Sequence, residues 1–491
     1  VPDTHIPKKD IISTKMVYKQ KPSLKKARCV ARGFMQDIAE TGDVYSPVVR
    51  SETVRTLLAY SAAQGRSVLQ LDVEGAYTKA PITGKPIYVS PPSKDRAKPG
   101  HVLKLNRSIY GLRSSGKAWY ETLTKYLRSQ GLQASTADPC LFFNKTKTMH
   151  VAVFVDDLLV SSVHASDGVR FFENMNKHKT GTSPWKVRNL GRPTNFLGLE
   201  IRWNRFGVKL THTKMIERLV ERFKVCKEAV HTPMVAGKTL EPSDNATDRP
   251  DATEFRSIAG TISYIAGSAR PECSYVAKEL CRNLSAPTAE HMRAAKRCAQ
   301  YLYTTRYDGV TYDRRMSHEP IAYCDADFAN QLSNRRSTTG RALMLYGAAV
   351  LWSSRQQKTV ALSTSEAEYY ALGDLGRDIL WFRRLMADLG SPLTRPTPAR
   401  EDNRAAMKWA TDSAAWSKTR HIDVQFHKVR EWITAGAMRV EHCPTTAQIA
   451  DICTKALPAD THRRLKMDIL GEAYKFYPEY HNPSNAVASA F

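Results

Sequence analysis

Apolar residues recur at helical spacing in "TVRTLLAYSAAQG", which begins at Thr53, and the run stops at Gly65; a helix is predicted there. "SVLQLDVEGAY" follows and reads as a strand. From Pro81 to Leu105, Pro and Gly punctuate short β pieces, which predicts loops and a hairpin. "GKAWYETLTKYLRSQG" has one apolar face and ends at Gly131, an amphipathic helix. In "VAVFVDDLLVSS", residues 151–162, two apolar runs enclose two adjacent aspartates; a tight hairpin fits, with Asp156 and Asp157 at its turn. "PTNFLGLEIRWNRFGVKLTHTKMIERLVERF" reads as two strands and a helix.

The stretch "VAGKTLEPSDNATDRP", residues 235–250, has almost no apolar residues and reads as a linker. Helical patterns run through residues 254–305. A new α/β pattern then opens at "EPIAYCDADFAN", with strands near 341–361 and a helix in "STSEAEYYALGDLGRDILWFRRLMADLG". "TPAREDNRAAMKWA" is a strand and a helix, "HIDVQFHKVREWITAG" a helix, and "AMRVEHCPTTAQIADICTKAL" a strand and a helix. No internal repeat is evident. The opening "VPDTHIPKKD" has no helix or strand of its own and does not start with Met, so a chain cut from a longer polyprotein is expected.

Charge changes the picture. The 491 residues include 73 Lys and Arg against 48 Asp and Glu, a formal net charge of +25, which suits a polyanionic partner such as nucleic acid. The length allows two to four domains. Nine scattered cysteines without a C-x-x-C pair argue against a disulfide framework or a zinc ribbon, and His421 and His427 lie too far from any cysteine pair for a finger. No apolar run approaches the ~18 residues of a transmembrane helix, so no membrane partner is expected.

Adjacent carboxylates repel, and each raises the other's pKa unless a positive charge stands between them. A solvated acidic turn is one reading of Asp156–Asp157; a divalent-cation site is the other, because Mg²⁺ takes hard oxygen ligands. "LQLDVEGAY" puts Asp72 in a second strand-like run, and two such strands side by side would pool three carboxylates. Metal ions held this way would activate an attacking hydroxyl and stabilise a leaving pyrophosphate. Tyr77 sits five residues beyond Asp72, and the basic run "KKARCVARGF", with Lys26, Arg28 and Arg32, is suited to clamp a triphosphate.

"KKARCVARGFMQ", "YSPVVRSETVRTLLAYSA", "LQLDVEGAYTKAPI", "KLNRSIYGLRSSGKAWY", "FVDDLLV" and "FLGLEI" occur in order, and over residues 12–235 the chain resembles the reverse transcriptases of copia-type (Pseudoviridae) LTR retrotransposons. The resemblance implies an α+β right-hand polymerase with fingers, palm and thumb. Asp72, Asp156 and Asp157 would be its palm carboxylates and metal ligands, Mg²⁺ the cofactor and Mn²⁺ the alternative. Val73 would lie at the nucleotide, Arg28 would meet the triphosphate, and Tyr77 beneath the sugar would exclude a 2′-hydroxyl. Tyr110, Gly111 and Arg113 match the segment over the incoming nucleotide and template. "FVDD" departs from the commoner Y-V-D-D by one hydroxyl, with little effect expected.

In the last third, Asp325 ends the strand "IAYCD", Glu368 lies in a helix, Asp402 ends the strand "ARED", and Asp451 begins or lies within the helix "QIADICTK". Each alone reads as a surface carboxylate; four at strand ends and helix starts of one α/β unit can converge on two metals that cleave a phosphodiester. "YCDADFANQLSNRRSTTG", "VLWSSRQQKTVALSTSEAEYYAL", "EDNRAAM", "HIDVQFHKVRE" and "TTAQIADICTKALP" resemble the ribonuclease H domain of the same family. Glu366 competes with Glu368, and the phase of "EYYAL" favours Glu368; Asp327 shares the strand of Asp325. Many ribonucleases H carry a His shortly before the last Asp; "CPTTAQIAD" has none, and His442 is left out.

The resemblance implies an N-terminal stub at 1–11, a reverse transcriptase at 12–235, a linker at 236–253, a helical connection at 254–319, an α/β ribonuclease H-like domain at 320–458 and a C-terminal tail at 459–491. The expected partners are RNA template, DNA primer, RNA–DNA hybrid, deoxynucleoside triphosphates and the other polyprotein segments (integrase, protease, Gag). The expected location is a cytoplasmic virus-like particle with a later nuclear phase. The rival readings are an inactive relic that binds nucleic acid without catalysis, and an RNA-dependent RNA polymerase. The seven carboxylates weigh against the first; Tyr77 and the ribonuclease H pattern weigh against the second.

Overall fold

A computed structural model describes residues 1–21, 24–37, 42–92, 98–181, 183–242, 249–412 and 423–472. Residues 243–248 of the expected linker, His421, and residues 473–491 of the expected tail lie outside them. Two compact units emerge: Val1–Thr53 with Arg66–Pro193, and Val54–Gly65 with the residues from Thr194 on.

The first unit is built on a six-stranded sheet in the order Val187–Asn189, Ser67–Val73, Asp157–Ser162, Met149–Phe154, Leu141–Asn144, Leu132–Ala134, with antiparallel neighbours throughout. Leu158, Leu159 and Val160 are consecutive and all fully buried, so this strand is covered on both faces and reads as a continuous apolar run rather than an alternating one. The helices Ser115–Ser129 and Ala165–Lys177 pack on the sheet. Ahead of it, Thr14–Lys21 and Leu24–Ala31 pair as an antiparallel hairpin, so the basic run with Lys26 and Arg28 lies on a strand. Gly111 fixes this hairpin in place. It has φ +90°, and a Cβ there would stand 2.1 Å from the carbonyl oxygen of Ala31, so only glycine admits the approach.

In the second unit, Asn195–Phe196, Leu199–Trp203, Gly207–Thr211 and Val310–Asp313 form a four-stranded antiparallel sheet. Two strands are expected before the helix Thr213–Arg222; a two-residue turn, Leu197–Gly198, splits the first into two. The helices Ala252–Ser268, Ser274–Arg282 and Ala289–Thr304 close on a core that includes Phe255, Ile262 and Leu302. A five-stranded mixed sheet follows, in the order Ala348–Gln356, Thr338–Leu345, Ile321–Asp327, Thr397–Glu401, Met438–His442; the last two pairings are parallel. Parallel pairing brings the C-terminal ends of Ile321–Asp327 and Thr397–Glu401 to one edge. The helix Thr364–Asp388, capped by Ser363 Oγ on the Glu366 N–H, lies against the central strand. The helix expected around Asp451 is instead a 3₁₀ turn, Ile449–Cys453. Gly340 admits it: a Cβ there would stand 2.6 Å from the Ala450 carbonyl oxygen. No helix of the described residues is long and apolar enough to cross a membrane.

Candidate active sites

Asp72 has Asp157 as its register partner on one side and Arg188 on the other. Directly opposed residues of antiparallel strands project from the same face, so the three side chains form a row. Two opposed acids repel, and Arg188 compensates: its Nη2 and Nε lie 2.5 and 3.0 Å from Asp72 Oδ2, and its Nε 3.3 Å from Glu74 Oε1. Burial, reinforced by Asp156 and Asp72, pushes Asp157 up to about 6, against the opposing pull of Gln70 and Arg188. Burial also raises Asp156, as does Asp72, while its own backbone, Arg28 and Lys26 act the other way.

The two-residue turn is Val155–Asp156, not Asp156–Asp157, because Phe154 pairs with Asp157 and Asp157 already opens the next strand. Val155 has φ +56°, a left-handed conformation that is strained for a β-branched side chain. The turn is pinned from both sides. Trp119 Nε1 donates to the Val155 carbonyl at 2.6 Å, and the Val73 N–H donates to the Asp156 carbonyl at 2.9 Å. Trp119 is buried, its ring centre 5.2 Å from that of Trp185.

Near these acids, Tyr77 meets Tyr110 edge-on with ring centres 5.1 Å apart, and the Arg28 guanidinium sits 4.9 Å from the Tyr110 ring centre. Burial raises both hydroxyl pKa values, and Asp156 adds to each. Arg113 Nε donates to the Gly33 carbonyl at 2.9 Å, which ties the Gly111 segment to the hairpin. Lys26 shares a strand face with Arg28 two residues on, whereas Arg32 lies exposed beyond the strand end.

In the second unit, one ligand atom each from Asp325, Glu368 and Asp402 lies within 4.8 Å of the other two. Among the described residues this is the one such group; the three aspartates of the first unit do not form one, and Asp72 is turned to Arg188. The group fits a hard divalent cation: all donors are carboxylate oxygens, and the buried Glu368 Oε2 has no hydrogen-bond partner. Burial, then Glu401, Asp325 and Asp402, push the Glu368 carboxyl up to about 11. Glu366 does different work. Its carboxylate accepts from the Leu362 N–H at 2.8 Å and from Tyr370 Oη at 2.9 Å, closing the start of its helix. Asp402 stands just past its strand and accepts from Thr445 Oγ1 at 2.9 Å. Asp451 lies outside the group of three, ion-paired to Lys455 at 2.9 Å; burial and Asp325 push it up to about 7 against the pull of Lys455.

Residues 4–236 match the family described as reverse transcriptase (RNA-dependent DNA polymerase). This region belongs to the reverse transcriptase family. Over 88% of its length the chain is 32% identical to the retrovirus-related Pol polyprotein from transposon RE1 of Arabidopsis thaliana. It is 30% identical, again over 88%, to that from transposon TNT 1-94 of Nicotiana tabacum. It is 25% identical over 94% to the transposon Ty1-H Gag-Pol polyprotein of Saccharomyces cerevisiae. These relatives are copia-type Pol polyproteins, and the chain spans 29%, 33% and 26% of their respective lengths.

Within the reverse transcriptase region, sequence reasoning missed Arg188, which pairs with Asp72, and Trp119, which holds the Val155 carbonyl of the turn beside Asp156. In the second unit it missed Glu401, fully buried beside Asp402 and pushed up to about 8 chiefly by burial, and Lys455. The i, i+4 spacing of Asp451 and Lys455 is the one signal that was available.

Proposed function

We propose that this chain is an RNA-directed DNA polymerase with a ribonuclease H site. It would copy a retrotransposon RNA from a DNA primer and degrade the RNA of the resulting hybrid. The six-stranded sheet of the first unit is read as the palm, the Thr14–Ala31 hairpin as part of the fingers, and the five-stranded sheet of the second unit as a ribonuclease H-like domain. The observation that carries the polymerase reading is the pairing of Asp72 with Asp157, next to the Asp156 turn, inside the region that matches the family. The Asp325–Glu368–Asp402 group carries the nuclease reading.

In this reading, Asp72, Asp156 and Asp157 hold Mg²⁺, or Mn²⁺ in its place. Arg28 and Lys26, already acting electrostatically on Asp156, receive the triphosphate. Tyr77 lies beneath the sugar of the incoming nucleotide. Asp72, now held by Arg188, would be one of the residues to hold the metal. Bound divalent ions supply activation of the primer hydroxyl and charge stabilisation of the leaving pyrophosphate. Template, primer and hybrid are held mainly through phosphates, as the +25 net charge suits, so affinity falls steeply with salt. The relatives' names support operation beside other segments of a Gag-Pol polyprotein, and a cytoplasmic particle is the proposed location.

The test is primer extension on poly(rA)/oligo(dT) with dTTP and Mg²⁺, run beside cleavage of an RNA–DNA hybrid. Asp156→Asn is expected to abolish extension and spare cleavage; Asp402→Asn is expected to do the reverse. Extension at the parent rate by Asp156→Asn would refute the polymerase assignment, and cleavage at the parent rate by Asp402→Asn the nuclease one. An inactive relic would show neither activity.

A further inference from the structure

We propose that the adjacent turns 204–206 and 314–316 of the second unit form a phosphate grip, which holds a nucleic-acid backbone independently of its sequence. The inference rests on the proposed function, which supplies the strand, and adds a contact outside both sets of acids. The strands Gly207–Thr211 and Val310–Asp313 pair with Gly207 opposite Asp313. The turn before the first strand and the turn after the second therefore lie side by side. The Arg314 N–H donates to the Phe206 carbonyl at 2.9 Å and joins them. Asn204 Oδ1 accepts from the N–H groups of Phe206 and Gly207, both at 2.8 Å, which fixes the first turn.

Three guanidinium groups gather on this base. Those of Arg205 and Arg315 pack on the Phe206 ring, 4.5 and 3.7 Å from its centre, and Arg314 is exposed on the neighbouring turn. One acid answers them: Asp313 accepts from Arg315 Nε at 2.9 Å and from its Nη2 at 2.5 Å. Among the described residues, Arg205 and Arg314 enter no ion pair, so two positive charges stand unmatched. Like charges held this close repel, and a polyanion relieves the repulsion. A guanidinium supported by a ring has less freedom to lose on binding, and its planar fork matches a phosphate. Phe206 already carries two cations, so the contact is to phosphates rather than by stacking on bases, and it carries no sequence information.

The test is fluorescence anisotropy of the full chain with a labelled RNA–DNA hybrid, and with its RNA strand alone, in EDTA so that nothing is cleaved. Each lost phosphate contact takes ~0.9 from the slope of log affinity against log salt for a duplex, and ~0.7 for a single strand. Arg205→Ala with Arg314→Ala is expected to remove two contacts from at least one of these ligands. Between about 50 and 200 mM salt, its affinity should then fall by about 7- to 12-fold less than the parent's. Arg205→Gln with Arg314→Gln serves if the alanine pair does not fold. Arg205→Lys with Arg314→Lys should keep the parent slope. Phe206→Leu should weaken binding with the slope kept, because it removes the support and no charge. Arg384→Ala with Arg395→Ala removes two exposed arginines elsewhere and controls for net charge. An unchanged slope in the neutral pair, or an equal loss in the control pair, would overturn the grip alone. Hybrid and RNA binding left intact while binding to phosphatidylserine vesicles is lost would assign the patch to a membrane surface instead. A parent that binds neither nucleic acid would overturn the grip and the proposed function together.

Discussion

Trp119→Phe keeps an aromatic ring in the platform under the Val155–Asp156 turn and removes one indole N–H. That N–H donates to the Val155 carbonyl at 2.6 Å, and the residue it restrains sits at φ +56°. A partly buried carbonyl deprived of its donor costs about 1–3 kcal/mol, and a left-handed non-glycine residue stores a similar amount, about 1–3 kcal/mol, that the surroundings must hold. Without the clamp the turn relaxes toward ordinary φ, and the Asp156 carboxylate moves off its position. Felt fully in the transition state, about 1–3 kcal/mol is about a 5- to 150-fold loss in kcat. KM for dTTP should change far less, because Arg28 and Lys26 are untouched. Steady-state extension of oligo(dT) on poly(rA) separates the two constants, and thermal melting reports the packing loss. Glycine adopts φ +56° without strain, so adding Val155→Gly should restore part of kcat in Trp119→Phe. Unchanged kcat, or a loss that Val155→Gly deepens, would refute the clamp.

Tyr77→Val should raise the efficiency of UTP relative to dTTP incorporation by about 10- to 200-fold, the range for gain or loss of a small group in a packed pocket. Tyr77 is half-buried against Tyr110 rather than central to the core, so DNA synthesis should remain measurable; an unchanged ratio would sink its role as a gate. In the second unit, buried His212 spans the Gly198 carbonyl at 2.8 Å and Ser268 Oγ at 2.5 Å, and burial pushes it down to about 4. Its folded pKa lies below the unfolded value of about 6.5, so its contribution to stability is complete above about pH 6.5 and is lost as pH falls toward 4, about 2 kcal/mol by pH 5. Melting between pH 7 and 5 should therefore fall less steeply in His212→Gln than in the parent; equal slopes would contradict this.

Elements with a strong period were legible in the sequence: the helices around residues 53–63 and 115–129, and the strands that carry Asp72, Asp157 and Asp325, whose apolar runs admit few alternatives. The ordered motifs of the reverse transcriptase region were legible too, because side-chain chemistry at fixed short spacing survives in the linear text. The Thr14–Ala31 hairpin was obscured because its lysines mask a period of two, and the 3₁₀ turn at Asp451 because a short helix and a tight turn share one apolar pattern. Only tertiary structure decided which groups stand around each acid. Strand register set Arg188 beside Asp72 across 116 residues, and moved the hairpin turn one residue so that Val155 bears the strain. Parallel pairing and a long helix drew Asp325, Glu368 and Asp402 together while leaving Glu366 to cap. Composition and period are local properties of the chain, whereas the partner of a carboxylate is set by register and packing between segments far apart in it.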